Sequence, residues 1–331
     1  MSDVEIIVET GPGLLTDPAW DALVDAVGTP FHSGRFLLPW WRDTSAKDPD
    51  AQLIGVKLVD GRQVVGVCAF ELSGGRLAFA GGRDVVDYMG PLAAGSRVKE
   101  VAEALMCWVF ELGNWNTARF GGLVQAEAMT GELIEAAGRR TSAFQVEVYD
   151  QVPVIDAAPD GYLALLNSKK RVEVQRKRNR LIEEAGDLQV TASTPQTLPR
   201  ALERLLAWKS AAGAPMADFV TQYEPLLREL LGGLAEHDRA HVMELCAGSR
   251  ALASAIVLTH RNTRYLYNMS YDLALTSNAR IGLAPGVVLV SYLAEQALDA
   301  GLGFDFLKGA QEYKLRLGGI PRDLVEITIE R

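Results

Sequence analysis

The sequence is poor in the residues that build metal centres and disulfide frameworks. It has three cysteines and four histidines among 331 residues. Cys68, Cys107 and Cys246 lie far apart inside apolar stretches, and no two of them form a Cys-x-x-Cys pair. This spacing argues against zinc or any other metal, and it predicts buried, reduced thiols in a cytoplasmic protein.

Long apolar segments are also missing. No hydrophobic run reaches the roughly 18 residues that a membrane-spanning helix needs, so we expect no contact with a membrane. The first ten residues, MSDVEIIVET, lack the basic and apolar segments of an export signal. The composition, 48% hydrophobic and 23% charged, is that of a globular chain, and its length allows about two domains.

Charge is distributed unevenly along the chain. Residues 1–150 contain 12 Lys and Arg against 21 Asp and Glu, whereas residues 151–331 contain 21 of each. The second half still has a basic run, Lys169–Arg180, with seven cations in twelve residues. This run is a solvated helix face, an anion clamp for a phosphorylated acceptor or cofactor, or a nucleic-acid surface. The sequence pI of about 5.1 and the lack of aromatic residues in the run argue against nucleic acid.

Hydrophobic periodicity predicts two α/β halves with a similar order of elements, which we place at 1–150 and 151–331. In each half we expect a mixed, mostly antiparallel sheet flanked by helices. The first half has strands at 51–59, 63–72 and 76–80, with Asp60-Gly61 as a hairpin turn. The second half has strands at 241–247, 251–260 and 264–270.

The stretch from Arg264 to Gly318 is the most informative. It predicts a strand, a small-residue turn at 281–286, a helix to about residue 300 and a short strand at 304–308. Such a βαβ unit exposes backbone N–H groups at the start of its helix, where phosphate or pyrophosphate binds well. A plain Gly-Pro turn with no ligand is the alternative.

Four stretches carry a resemblance to a known family. They are Phe31-His32-Ser33 with Trp40, Tyr162–Val190, Tyr271-Asp272 with Pro285-Gly286, and Phe304–Gly309 with Tyr313-Lys314. With them, the C-terminal half resembles the GNAT acyltransferases. The whole chain resembles tandem GNAT proteins of the CelD/BcsL group and, more distantly, the FemABX aminoacyl transferases.

The resemblance implies a donor and an acceptor site. The donor would be acyl-CoA, with acetyl-CoA first, and its pyrophosphate would lie at the turn before the helix. The N-terminal half lacks a comparable glycine turn, so we expect a degenerate copy that shapes the acceptor cleft. The implied donor-binding residues are Asn268, Met269, Ser270, Arg280, Gly282, Ala284, Gly286 and Lys314. The expected acceptor-binding residues are His32, Trp40, Asp87, Tyr88, Lys170, Arg171 and Tyr267.

Three residues are candidates for catalysis. In the family, a tyrosine at the position of Tyr313 would protonate the departing CoA thiolate; packing at a domain seam is its alternative role. Asp305 lies in an apolar strand, where burial raises the proton affinity that a base needs, unless it pairs with Lys308 or Lys314. Asp272 is a second candidate base, or else a turn cap.

The predicted reaction is direct transfer of an acyl group to an amine, or to a hydroxyl, of a small or sugar-containing acceptor. No covalent enzyme intermediate is expected, because no cysteine or serine has an obvious base beside it. Two other functions stay open: an aminoacyl-tRNA-dependent transferase, and a binding protein that has lost catalysis. We expect a monomer or a homodimer.

Overall fold

A computed structural model describes residues 4–157, 161–276 and 283–331. The fold is α/β, with mixed and largely antiparallel strand pairing flanked by helices, which confirms the predicted fold class. The elements are β1 (Glu5–Thr10), α1 (Pro18–Val27), α2 (Gly34–Lys47), β2 (Gln52–Asp60), β3 (Gln63–Ser73), β4 (Arg76–Phe79), β5 (Leu92–Ala93), α3 (Val98–Leu112), β6 (Thr117–Val124), α4 (Ala128–Gly138), β7 (Phe144–Ile155), α5 (Tyr162–Leu165), α6 (Ser168–Ala185), β8 (Leu188–Ala192), α7 (Leu198–Ser210), α8 (Ala214–Ala235), β9 (Ala240–Ala247), β10 (Arg250–His260), β11 (Thr263–Tyr271), α9 (Pro285–Asp299), β12 (Gly303–Asp305), α10 (Glu312–Arg316) and β13 (Ile320–Glu330).

The chain forms two compact units. Unit 1 comprises the residues up to Gln151 together with Arg322–Arg331, and unit 2 comprises Val152–Pro321. The last strand therefore belongs mostly to unit 1, whereas the sequence grouped it with the second half. The reason is its pairing, since β13 runs antiparallel to β6, with Leu324 opposite Val124.

Unit 1 is built on an antiparallel meander followed by a parallel step. β1, β2, β3 and β4 pair in sequence order, and β4 then pairs with β6 in parallel, from Arg76 opposite Thr117 to Ala78 opposite Arg119. The predicted hairpin at Asp60-Gly61 is present, with Gly61 at a φ of +60°, where glycine is favoured. A core with α3 and α4 forms from Phe70, Val109, Phe120, Leu133 and Ile327, among others.

One helix of unit 1 has no counterpart in the sequence analysis, and the prediction that all three thiols are buried is partly wrong. The aromatic stretch after Ser33 is a helix, α2, which begins where the Ser33 hydroxyl accepts a bond from the Phe36 N–H. Pro39 lies inside this helix, a position that is unfavourable for proline in general. The prediction of buried thiols is wrong for Cys107, which is exposed on α3. Cys246, in unit 2, is half-buried, and none of the three cysteines forms a disulfide.

Unit 2 has the same order of strand pairing as unit 1, with two helices, α7 and α8, between β8 and β9. β8, β9, β10 and β11 pair antiparallel in sequence order, and β11 pairs with β12 in parallel. α8 begins at Ala214, with Pro215 in its first turn, where the missing N–H is not needed. β12 ends at Asp305 rather than residue 308, because Leu307 adopts a φ of +57° that breaks the strand.

Helices cover both faces of the unit 2 sheet. β10 is buried at every residue from Ala251 to Leu258, which requires cover on both sides. Ala253, Ala255 and Val257 pack in one core with α9. Since side chains alternate along a strand, Ser254 and Ile256 face the other side, where α7 contacts β9, β10 and β11.

Candidate functional site

β11 and β12 separate after a short parallel pairing. They pair only from Thr263 to Tyr265, whereas β11 continues beside β10 as far as Tyr271. Tyr267 is the extra residue of a bulge, because Ile256 pairs with Asn268 and Val257 with Leu266. In the part of the chain that the structure describes, residues 266–271 therefore have a strand partner on one side only. Asn268, Met269 and Ser270, predicted for donor binding, lie in this open segment.

α9 begins beside the open segment of β11. Its N-cap is Ala284, and no side chain caps the first turn within the described residues. Gly286 packs closely on β11, because a Cβ at this position would come 2.9 Å from Met269 Cε and 3.1 Å from Tyr271 Cδ1. The two other predicted turn residues, Arg280 and Gly282, lie outside the described residues.

The loop between β12 and α10 is held together by Lys314. Its side chain is buried, with 5% of the residue exposed, and Nζ donates to the carbonyl oxygens of Leu307 (3.1 Å) and Lys308 (2.6 Å). Asp305 is buried as well, and its Oδ1 accepts a bond of 2.7 Å from the Leu307 N–H. Both groups thus stabilise the left-handed turn at Leu307 that ends β12.

Tyr313 lies in the first turn of α10 and packs against the unit 2 core. Desolvation raises the pKa of its phenol to about 12. A raised pKa keeps the hydroxyl protonated throughout the physiological range, as a general acid requires.

Asp272 follows β11 and caps the next turn. Its Oδ1 accepts from the Ala274 N–H (3.0 Å), and its Oδ2 accepts from Arg250 Nη2 (2.8 Å). These contacts are those of a turn cap with an ion pair, which is the alternative role that the sequence allowed.

Lys209 is a polar group at the open segment that sequence reasoning missed. It lies on α7, and its Nζ donates to Asn268 Oδ1 at 2.8 Å and lies 5.1 Å from the centroid of the Phe219 ring. Desolvation lowers the pKa of Lys209, so the neutral amine is more accessible than for an ordinary lysine. A single lysine near the end of an amphipathic helix does not indicate, from the sequence alone, which strand its side chain will contact.

The basic run forms α6, but its cations do not act as one surface. Arg178 is buried: Nε donates to Ser291 Oγ (3.0 Å), Nη1 pairs with Glu295 (2.8 Å), and the guanidinium stacks on Tyr292. Lys170 donates to the Leu315 carbonyl (2.8 Å) and Arg171 to the Leu166 carbonyl (3.1 Å). An open groove of about 540 Å³ is lined by Arg171, Val172, Gln175, Arg176, Asn179, Arg180 and Glu183.

The acceptor residues predicted in the first half all lie in unit 1, and most are buried. His32 closes a turn, with Nδ1 2.8 Å from Thr29 Oγ1. Trp40 is buried beside Gly82, where a Cβ would come 2.9 Å from Trp40 Nε1. Asp87 and Tyr88 are buried, and Tyr88 lines a cavity of only about 10 Å³ with His32.

The described residues contain no group of three or more His, Cys, Asp or Glu side chains placed to hold a metal ion. Within the same ranges, no helix combines the length and apolar character needed to cross a membrane.

Comparisons with known proteins agree with this geometry. Residues 168–315 match the family model of the acetyltransferase (GNAT) domain. The crystal structure of FemX superposes with a TM-score of 0.64 at 10% identity, covering 99% of this chain and 97% of FemX. A protein from Bacteroides thetaiotaomicron gives 0.61 at 13% identity, with coverage of 98% and 100%. A tandem GNAT protein from the clavulanic acid biosynthesis pathway gives 0.53 at 11% identity, with coverage of 99% and 98%.

The chain shares the overall fold of these tandem structures, and residues 168–315, somewhat less than half of the chain, match the GNAT acetyltransferase domain model. The region matched by the family model contains β11, α9, β12 and Tyr313. No curated protein matches the chain, and membership of the CelD/BcsL group stays a prediction.

Proposed function

We propose that this protein transfers an acyl group, acetyl first, from acyl-CoA to an amine of a small or sugar-containing acceptor, with a hydroxyl as the alternative acceptor. One observation carries the proposal. β11 and β12 part after Tyr265, and α9 begins next to the open segment, where no side chain of the described residues caps its first turn. Free backbone N–H groups at a helix start favour the pyrophosphate of CoA. Donor contacts from Arg280, Gly282 and Lys314 are part of the proposal.

The chemistry would be direct transfer. The acceptor nitrogen attacks the thioester carbonyl carbon, and backbone N–H groups of Asn268 to Ser270 stabilise the negative oxygen that forms. The carbon–sulfur bond then breaks, and Tyr313 gives its proton to the CoA thiolate. Alignment of the acceptor against the thioester supplies much of the rate gain.

A second group must accept the proton that the acceptor nitrogen loses. Asp305 and Asp272 are the carboxylates proposed for this step, and each already accepts a backbone N–H bond. Lys209 is a third candidate for this base. Its amine reaches the open segment of β11 by a hydrogen bond to Asn268, and desolvation lowers its pKa.

Replacing Lys209 distinguishes between these groups. If its neutral amine is the base, Lys209→Met lowers kcat/KM by about 100-fold and abolishes the rise in rate as pH increases through the lysine pKa. Lys169→Met on exposed α6 is the control and should leave the pH profile unchanged. An unaltered pH profile in Lys209→Met would assign the step to a carboxylate, which Asp305→Asn and Asp272→Asn then separate.

A second candidate function is aminoacyl transfer from a charged tRNA. It is favoured by the fold likeness to FemX and by the open groove along α6 with three arginines, Arg171, Arg176 and Arg180. Binding of charged tRNA that weakens steeply with salt, without binding of any acyl-CoA, would support this alternative.

Donor binding tests the main proposal directly. Acetyl-CoA at about one hundred times its dissociation constant should stabilise the protein by roughly 2.7 kcal/mol, seen as a raised melting temperature. A series of longer acyl-CoAs, with free CoA as the matched compound, then gives the preferred chain length. Melting curves that none of these compounds moves would contradict CoA dependence.

A further inference from the structure

Unit 1 contains a cavity of about 130 Å³ that the proposed acyl transfer does not use. Because paired residues on neighbouring strands point to the same side, Glu71, Ala78 and Arg119 lie on one face of the sheet, opposite the core face of Phe70, Leu77 and Phe120. Small residues, Ala78 and Gly121, leave the space open. The cavity is lined by Glu71, Arg76, Ala78, Phe79, Gly82, Arg83, Met89, Arg119, Gly121 and Glu326.

Glu326 brings a buried carboxylate to this cavity. Only 5% of the residue is exposed, and its Oε1 accepts both bonds from Arg119, through Nε (3.1 Å) and Nη2. Oε2 makes no hydrogen bond within the described ranges, and Arg83 Nη1 lies 3.8 Å from it. A Cβ at Gly121 would come within 3.2 Å of Oε2, so the glycine keeps room beside this oxygen. A buried carboxylate oxygen with open acceptor capacity favours a ligand that donates.

Glu71 and Arg76 add one negatively and one positively charged side chain to the lining of the cavity. Burial raises the pKa of Glu71, and the charge of Arg76 partly opposes this. Neither side chain makes a hydrogen bond or a close ion pair with the part of the chain that the structure describes, although both line the cavity. The cavity of about 130 Å³ is thus lined by carboxylate oxygens and a guanidinium that make no hydrogen bond within the described ranges.

We propose that this cavity binds a small zwitterion, a free α-amino acid, whose ammonium donates to Glu326 and Glu71 and whose carboxylate lies on the guanidinium of Arg76. A guanidinium matches a carboxylate through two parallel bonds, and an ammonium satisfies the open carboxylate oxygens. A simple anion gives Glu326 Oε2 no hydrogen-bond donor, and a simple amine gives the Arg76 guanidinium no hydrogen-bond acceptor. The site lies in unit 1 and does not depend on the proposed acyl transfer.

Binding to the full chain, measured by ligand-observed NMR and calorimetry, tests the proposal. The probes are glycine, L-alanine and L-serine, with propionate and ethylamine as the analogues of alanine that keep one charge. We expect at least one amino acid to bind, and each single-charge analogue of alanine to bind about tenfold more weakly than alanine or not at all. Arg76→Gln and Glu326→Gln should each weaken amino-acid binding by about tenfold.

Arg62→Gln is the matched control, because Arg62 is also exposed in unit 1 but lies at the β2–β3 turn, away from the cavity. Melting curves check that Glu326→Gln remains folded, and Arg76→Gln alters only an exposed side chain. Three results would each overturn the proposal: no amino acid binds, propionate binds as well as alanine, or Arg76→Gln binds as Arg62→Gln does.

Discussion

Tyr313→Phe should lower kcat by about 100-fold while the dissociation constant for acetyl-CoA stays the same. The substitution removes only the hydroxyl, so the ring still packs against the unit 2 core. Without the hydroxyl, the CoA thiolate has to leave without a proton from Tyr313. Burial already raises the pKa of this phenol to about 12, so wild-type turnover should show no alkaline loss from Tyr313 up to about pH 10.

Steady-state kinetics gives kcat, and a calorimetric titration of the same preparation with acetyl-CoA gives the dissociation constant. Tyr292→Phe is the control, since Tyr292 lies on α9 under the guanidinium of Arg178 and keeps its ring in the variant. Equal kcat values for Tyr313→Phe and wild type would remove Tyr313 from the mechanism. Weaker donor binding with unchanged kcat would make Tyr313 a binding residue instead.

Lys314→Met should be the most damaging substitution for the stability of unit 2. It keeps the aliphatic length but removes the ammonium that donates to the Leu307 and Lys308 carbonyls. A buried polar group that loses its partner costs about 1–3 kcal/mol, so the loss of both bonds should lower the free energy of unfolding by about 2–6 kcal/mol. Urea denaturation followed by circular dichroism measures this loss.

The comparison variant is Lys169→Met, an exposed lysine on α6, which should change the free energy of unfolding by less than about 0.5 kcal/mol. Lys314→Met should also be inactive, because the adjacent Tyr313 loses its position when the β12–α10 loop rearranges. If the two variants unfold at the same urea concentration, Lys314 does not hold the loop, and contact with the donor becomes its main proposed role.

The sequence predicted the order of β11, α9 and β12 because each of these elements has a local signal. Tyr265 and Leu266 have strand propensity, Pro285 is favourable at a helix start, and Gly301 is favourable after a helix end. The parallel pairing of β11 with β12 follows from that order, since a strand, helix and strand connect in this way. The early end of β12 was not predicted, because Leu307 is not a residue expected at positive φ.

Contacts between distant segments had no signal in the sequence. Lys209 meets Asn268 across 59 positions, and Arg119 meets Glu326 across 207. Such pairs depend on which helix covers which face and on where the last strand inserts. For the same reason Arg178 was grouped with its charged neighbours, although a contact 113 positions away buries it.

The return of residues 322–331 to unit 1 affects how the polypeptide matures on the ribosome. Unit 1 cannot be completed until residues 322–331 have been translated, because Val325, Ile327 and Ile329 belong to its core. The intervening portion, in contrast, can acquire its structure while still tethered to the exit tunnel. A chain that stops before residue 322 would therefore lack part of the unit 1 core while it still contains all of unit 2.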